Sequence, residues 1–198
     1  WIFQKNLKCA KLAVIGIASV ALFILSFRTS QRLPVWENEL TLFQATVKDA
    51  PVFSWRPHKS LLAALINKEL YPEALALIEE LLQEPLGPKS KAYVYRMQAR
   101  SYTGIGANPK VITEAYESAI LNDPENANLL KDRGIYEAKT QDFDSAIDTF
   151  SKAILINPAL PNIWFNRAMV YRDMGKLDFA IKDLKHAVNI NPSLRNYR

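Results

Sequence analysis

Cysteine is nearly absent from this sequence. Cys9 stands alone among 198 residues, which excludes an intrachain disulfide and a cysteine-based zinc site. It precedes an apolar run instead of following one, so it is not placed as a lipidated lipobox cysteine and reads as an inert thiol. Histidine is almost as scarce: His58 and His186 lie far apart, with neither HExxH nor CxxC, and both read as solvated helix residues. There are only 6 glycines. Gly104-Ile105-Gly106 is too short for a nucleotide loop and no Gly-Lys-Ser/Thr follows, so it reads as a turn. Adjacent acids such as Glu79-Glu80 diverge on a helix and form no catalytic pair. No N-x-Ser/Thr sequon occurs, because Asn191-Pro192-Ser193 is excluded by its proline. These scarcities predict a chain without a catalytic centre, metal or cofactor.

Negative charge is missing from the start of the chain. No Asp or Glu precedes Glu37, whereas Lys5, Lys8 and Lys11 lie ahead of the apolar run. Without those three lysines the formal charge of +5 falls to 22 basic against 20 acidic residues. A nucleic-acid surface needs a clustered basic stripe. The charges here are mixed along helix faces, and no nucleic-acid partner is expected.

What is present begins with Leu12 to Phe27, LAVIGIASVALFILSF, which holds no charge, Asn, Gln or Pro. Sixteen residues at a rise of ~1.5 Å give about 24 Å, short of a hydrocarbon core of roughly 30 Å. Lys11 and Arg28 can snorkel, and Cys9 and Ala10 extend the apolar surface. Residues 12–28 are therefore expected to span a membrane. No small-x-small cleavage motif follows, and no polar stripe marks the segment as a buried globular helix. Three lysines ahead of the run against Arg28 and Arg32 after it place the C-terminal part outside the cytoplasm.

A period of 34 dominates the remainder. Asn122-Asp123-Pro124, Ile156-Asn157-Pro158 and Ile190-Asn191-Pro192 recur at that interval. Ala119, Ala153 and Ala187 lie five residues before each proline, and Tyr116, Phe150 and Leu184 lie eight before. Phe143-Asp144-Ser145-Ala146-Ile147 aligns with Leu177-Asp178-Phe179-Ala180-Ile181, and first helices start near Asn128 and Asn162. Gly134, Ala146, Ala168 and Ala180 are small enough for paired helices to approach. Leu130, Phe150, Trp164, Tyr171 and Leu184 would fill the space between them. Proline, which lacks an N–H and restricts its predecessor, stops each second helix.

This pattern resembles the tetratricopeptide repeat. The resemblance is strongest over the last two units and weaker over two earlier ones. In one of these, Tyr95, Ala99, Tyr102 and Gly106 outline a first helix. Asn108-Pro109 then interrupts and adds a residue to the turn, and the second helix runs from about Lys110 to Leu121. In the other, Leu61, Leu62, Leu65, Tyr71, Ala74, Ile78 and Leu81 outline a hairpin ending near Pro85, and Pro85 to Pro88 is an irregular linker. The expected organisation is a basic segment (1–11), a membrane helix (12–28) and a connecting amphipathic helix (29–52). Hairpins follow over 53–86, 87–126, 127–160 and 161–194, then a tail (195–198). In the connecting segment Leu40, Phe43 and Val47 share one helix face, Pro51 ends the helix, and it is expected to cover the first hairpin. The fold class is all-α, an α-hairpin solenoid in which only stacking buries each apolar face.

In tetratricopeptide arrays the first helix of each hairpin lines a concave groove that takes extended peptides. The resemblance thus implies groove positions at Lys59, Arg96, Arg100, Asn128, Lys131, Asp132, Asn162, Phe165, Asn166 and Arg172. The family's two-carboxylate clamp for chaperone tails wants Lys, Asn and Arg at matching positions. Ser60, Met97, Asp132 and Asn166 stand there, so that clamp is not carried over, nor is the asparagine ladder of some glycosyl-transfer arrays.

The expected function is a membrane-tethered scaffold that binds a protein or peptide partner through its groove. A second expectation comes from the order of features around Arg32-Leu33-Pro34-Val35-Trp36-Glu37-Asn38-Glu39-Leu40. A membrane helix followed by this segment, Pro51 and hairpins is similar to the junction in polytopic protein O-mannosyltransferase-like glycosyltransferases. There the last membrane helix runs into extracytoplasmic repeats. Catalytic carboxylates in that family lie in loops near N-terminal membrane helices, none of which is in this chain, so these residues would be its repeat domain. A start at Trp1 and not at Met suits that reading.

Overall fold

The computed structural model describes residues 38–49 and 54–193. The expected membrane span at 12–28 lies outside the described residues, as do the basic segment 1–11 and the tail 195–198. No described helix is long and apolar enough to cross a membrane.

The described residues form nine α-helices and no strand. They are α1 (Glu39–Lys48), α2 (Trp55–Asn67), α3 (Tyr71–Gln83), α4 (Pro88–Gly104), α5 (Pro109–Asn122), α6 (Ala127–Lys139), α7 (Phe143–Ile156), α8 (Pro161–Asp173) and α9 (Leu177–Ile190). The chain divides into two compact units, residues 1–64 and 65–198.

In the first unit, Asn38 caps α1. Its side chain accepts from the Thr41 amide at 3.0 Å while the Thr41 hydroxyl accepts from the Asn38 amide, a reciprocal box. No residue of α1 is buried, and Leu40, Phe43 and Val47 are half-covered. On α2, Leu61, Leu62 and Ala64 are buried.

The second unit is built of neighbouring helices packed in sequence order, with α4 on α5, α6 on α7 and α8 on α9 as the most intimate pairs. Small residues make those pairs close. Ala99, Ala119, Ala146, Ala153, Ala168 and Ala187 are fully buried. A Cβ on Gly134 would stand 2.8 Å from Phe150 Cε1, so hydrogen at this position is what admits the ring. Phe150 is itself fully buried, among Leu130, Ala146, Ala153, Ile154, Ile163 and Val170 from α6, α7 and α8. Burying one such side chain contributes about 1.5–3 kcal/mol.

Four short turns share one device. Glu69, Gly106, Gln141 and Gly175 have left-handed φ of 59°, 65°, 64° and 74°. In each turn the next amide reaches back to a carbonyl five residues earlier, at 2.8–2.9 Å: Leu70 to Leu65, Ala107 to Tyr102, Asp142 to Glu137 and Lys176 to Tyr171. This is the six-to-one closure of a helix C-terminus. Between α4 and α5 two residues, Ala107 and Asn108, separate the left-handed residue from the next helix. The α6–α7 turn has one, Asp142.

Proline does two jobs where the sequence suggested one. Pro158 and Pro192 follow the ends of α7 and α9, but Pro88, Pro109 and Pro161 are the first residues of their helices. At that position the missing N–H has no intrahelical partner to lose. Asn108-Pro109 is therefore an initiation signal and no interruption: the Asn108 side chain accepts from the Lys110 amide at 2.9 Å. Likewise the supposed linker ends by starting α4, and its Leu86 is buried.

Candidate binding trough

The first helices α4, α6 and α8 carry polar residues at helical spacing. On α4, Arg96, Arg100 and Thr103 follow i, i+4, i+7 spacing, and on α6 Asp132, Tyr136 and Lys139 do the same, so each set lies along one helix face. These residues, with Tyr71, Gly104, Tyr116 and Ile135, line a cavity of about 580 Å³. A second cavity of about 310 Å³ lies between α6, α7 and α8, lined by residues that include Asn166, Met169 and Asp173. Ile135 and Lys139 line both. The two cavities thus adjoin as one trough crossing α4, α6 and α8.

Electrostatics within the trough are uneven. Arg96 Nε donates to Asp132 Oδ2 at 2.6 Å, and Lys131 Nζ lies 3.3 Å from Asp132 Oδ1. Asp132 is thereby compensated on both oxygens. Arg100 and Lys139 are exposed and make no ion pair among the described residues. Tyr116 is buried and packs against Tyr136 with ring centroids 5.9 Å apart. Burial, then the Asp132 carboxylate, push the Tyr116 phenol up to about 12, against the opposing pull of Arg100 and Arg96. It is a protonated donor at neutral pH. Tyr71 reaches the cavity because Gly104 has no side chain: an added Cβ there would stand 2.3 Å from Tyr71 Cζ.

The expected groove residues fall into distinct groups. Arg96, Arg100, Asp132 and Asn166 line the trough. Lys131 is held beside Asp132 and also donates to Asn128 Oδ1 at 3.2 Å. Asn128 and Asn162 are exposed near the starts of α6 and α8, and Phe165 is half-buried on α8. Arg172 turns to its neighbour Asp173, with Nε donating to Oδ1 at 2.8 Å. Lys59 is exposed on α2, in the first unit. Met97, at one of the clamp positions, is buried.

Of the two histidines expected to be solvated helix residues, His186 is exposed on α9 as expected and His58 is not fully so. His58 is half-buried with Nδ1 2.6 Å from the Ser54 carbonyl oxygen. His186 is exposed but stacks on Trp164 at 4.6 Å between centroids. Arg167 carries a role that the repeat pattern did not signal. It bridges Asp183 and Ser151 and lies over the faces of Trp164 and Tyr171, with its guanidinium carbon 5.2 and 5.8 Å from the ring centroids. Among the described residues no cluster of His, Cys, Asp or Glu could hold a metal ion.

The family model described as tetratricopeptide repeat matches residues 161–194. The fold is that of tetratricopeptide-repeat proteins. A crystal structure of TTC0263, a thermophilic tetratricopeptide protein of Thermus thermophilus, is similar with a TM-score of 0.64 and 22% identity. The match covers 77% of this chain and 81% of that one. MamA is similar with a TM-score of 0.63 and 18% identity, over 80% of this chain and 90% of that one. PilF of Pseudomonas aeruginosa has a TM-score of 0.61 at 18% identity, over 70% and 61%. At these identities the likeness concerns the fold. No curated protein sequence matches significantly. The α8–α9 hairpin is thus a tetratricopeptide unit by sequence and by structure.

Proposed function

We propose that this protein is a membrane-tethered tetratricopeptide scaffold that binds an extended segment of a partner protein in the trough across α4, α6 and α8. The observation that carries this reading is the continuity of the two cavities through Ile135 and Lys139. An extended chain at ~3.3 Å per residue can run along such a path, and tetratricopeptide hairpins leave their first helices available to line it. The apolar run at 12–28 supports a membrane anchor, and the lysines ahead of it support repeats on the non-cytoplasmic side.

Selection of displayed random 12-mers against the chain tests the trough. Peptides that bind should lose at least tenfold in affinity when Ile135→Arg or Asn166→Arg obstructs it. Binders indifferent to both substitutions would remove the trough from the account. The anchor is tested separately by carbonate extraction of membranes, where deletion of 12–28 should release the chain. In sealed vesicles a cysteine at Ser193 should label from the non-cytoplasmic side; labelling from the cytoplasm alone would reverse the topology.

A further inference from the structure

The larger cavity has features that go beyond a generic peptide groove. Among the described residues that line it Asp132 is the only acid, and Arg96 and Lys131 already compensate it. Arg100 and Lys139 remain, on two different helices, both lining the cavity and neither ion-paired among the described residues. Tyr116 adds a buried phenol that stays protonated. Tyr71, Tyr116 and Tyr136 supply ring surface around these groups. Two uncommitted cations that face one cavity from different helices attract an anion more strongly than either would alone. The neutral alternative, a pocket for an apolar side chain, would leave both cations without use. A cationic ligand would meet Arg100 and Lys139 with no free acid to offset them.

We propose that this tyrosine-walled cavity is a specificity pocket for an acidic side chain, an Asp or Glu of the bound segment, held by Arg100 and Lys139. The inference rests on the scaffold reading above. Arg100, with a planar fork of donors, can take the carboxylate in two parallel bonds, while Lys139 contributes a point charge from α6. Arg96 and Asp132 act differently. Their pairing holds Arg96 away from the ligand and keeps Asp132 from repelling it. The pocket therefore reads one charge, where a row of unpaired cations would read any acidic stretch.

The 12-mers selected on the full chain are the probes. Each is resynthesised with its acidic residues changed one at a time to the amide, and binding is measured by fluorescence anisotropy. The expected result is one Asp or Glu per peptide whose neutralisation costs at least tenfold against the native chain. That cost should fall below threefold against Arg100→Gln/Lys139→Gln. Arg100→Glu should be rescued by a peptide carrying Lys in place of the acid. Both side chains are exposed and make no ion pair among the described residues, so the variants should fold, and circular dichroism checks this. Peptides that bind the trough, lose affinity with Asn166→Arg, and yet carry no such acid would overturn the pocket while leaving the scaffold standing. A library yielding no binder would remove both.

Discussion

Arg167 and Asp183 meet in a two-pronged ion pair between α8 and α9. Nε donates to Oδ2 at 2.7 Å and Nη2 to Oδ1 at 2.9 Å, while the remaining Nη1 reaches Ser151 Oγ on α7 at 2.8 Å. Both partners are largely shielded from water. Removing one leaves the other charged and uncompensated, which is the costly way to break such a pair. Asp183→Ala should cost about 3 kcal/mol in urea denaturation, whereas Arg167→Met with Asp183→Leu should recover most of that loss. Equal costs for the single and double variants would show that the pair is not what holds α8 to α9.

The close approach of α6 and α7 depends on Gly134. Valine there must displace the Phe150 ring, and overpacking of this kind costs about 1–3 kcal/mol. Ala146→Trp and Ala180→Trp, at buried small positions on α7 and α9, should lower stability by a similar or larger amount. A circular-dichroism melt unchanged by all three would contradict the packing register.

The hairpin turns offer a reciprocal test. Gln141 and Gly175 occupy the same left-handed position one repeat apart, and a side chain in that conformation costs roughly 1–2 kcal/mol, partly offset by the greater freedom of unfolded glycine. Gln141→Gly should therefore raise stability by about 0.5–1 kcal/mol and Gly175→Gln should lower it by about the same. No atom lies within 4 Å of a Cβ built at Gly175, so the effect reports backbone strain alone.

Tyr116 predicts an alkaline signature. Its folded pKa of about 12 lies above the ordinary phenol value of 10.0. The native state therefore keeps a proton that the unfolded chain gives up. Stability from this group is complete below about pH 10 and falls between about pH 10 and 12, by up to about 1.4 kcal/mol per pH unit. Burial raises Tyr93 and Tyr136 in the same direction. Urea midpoints measured across this range should decline more steeply for the native chain than for Tyr116→Phe.

Much of this architecture is legible in the sequence because helical hairpins depend on local spacing. Ala119, Ala153 and Ala187 recur where helices touch, and their burial follows. Proline is harder to read: its backbone restriction serves both the end of one helix and the start of the next, and only the capping Asn108 separates the cases. In the trough, Arg96, Arg100, Asp132 and Asn166 could be placed by repeat register. Tyr116 could not, since position eight before the proline looks like a core filler, and it is both buried and at the cavity wall. Lys139 is hidden among mixed charges, although its i+7 spacing from Asp132 is a usable signal. Tyr71 comes from a different hairpin, and only the missing Gly104 side chain admits it, a relationship that no local pattern carries.

The trough crosses seams. Its walls belong mainly to α4, α6 and α8, which sit in three successive hairpins packed chiefly on their neighbours. An occupant lying along it would act as a splint, because separating any two of those hairpins would also mean releasing the occupant. Occupancy would then slow amide exchange even in α9, which lines neither cavity, as its hairpin ceases to part from the one before it.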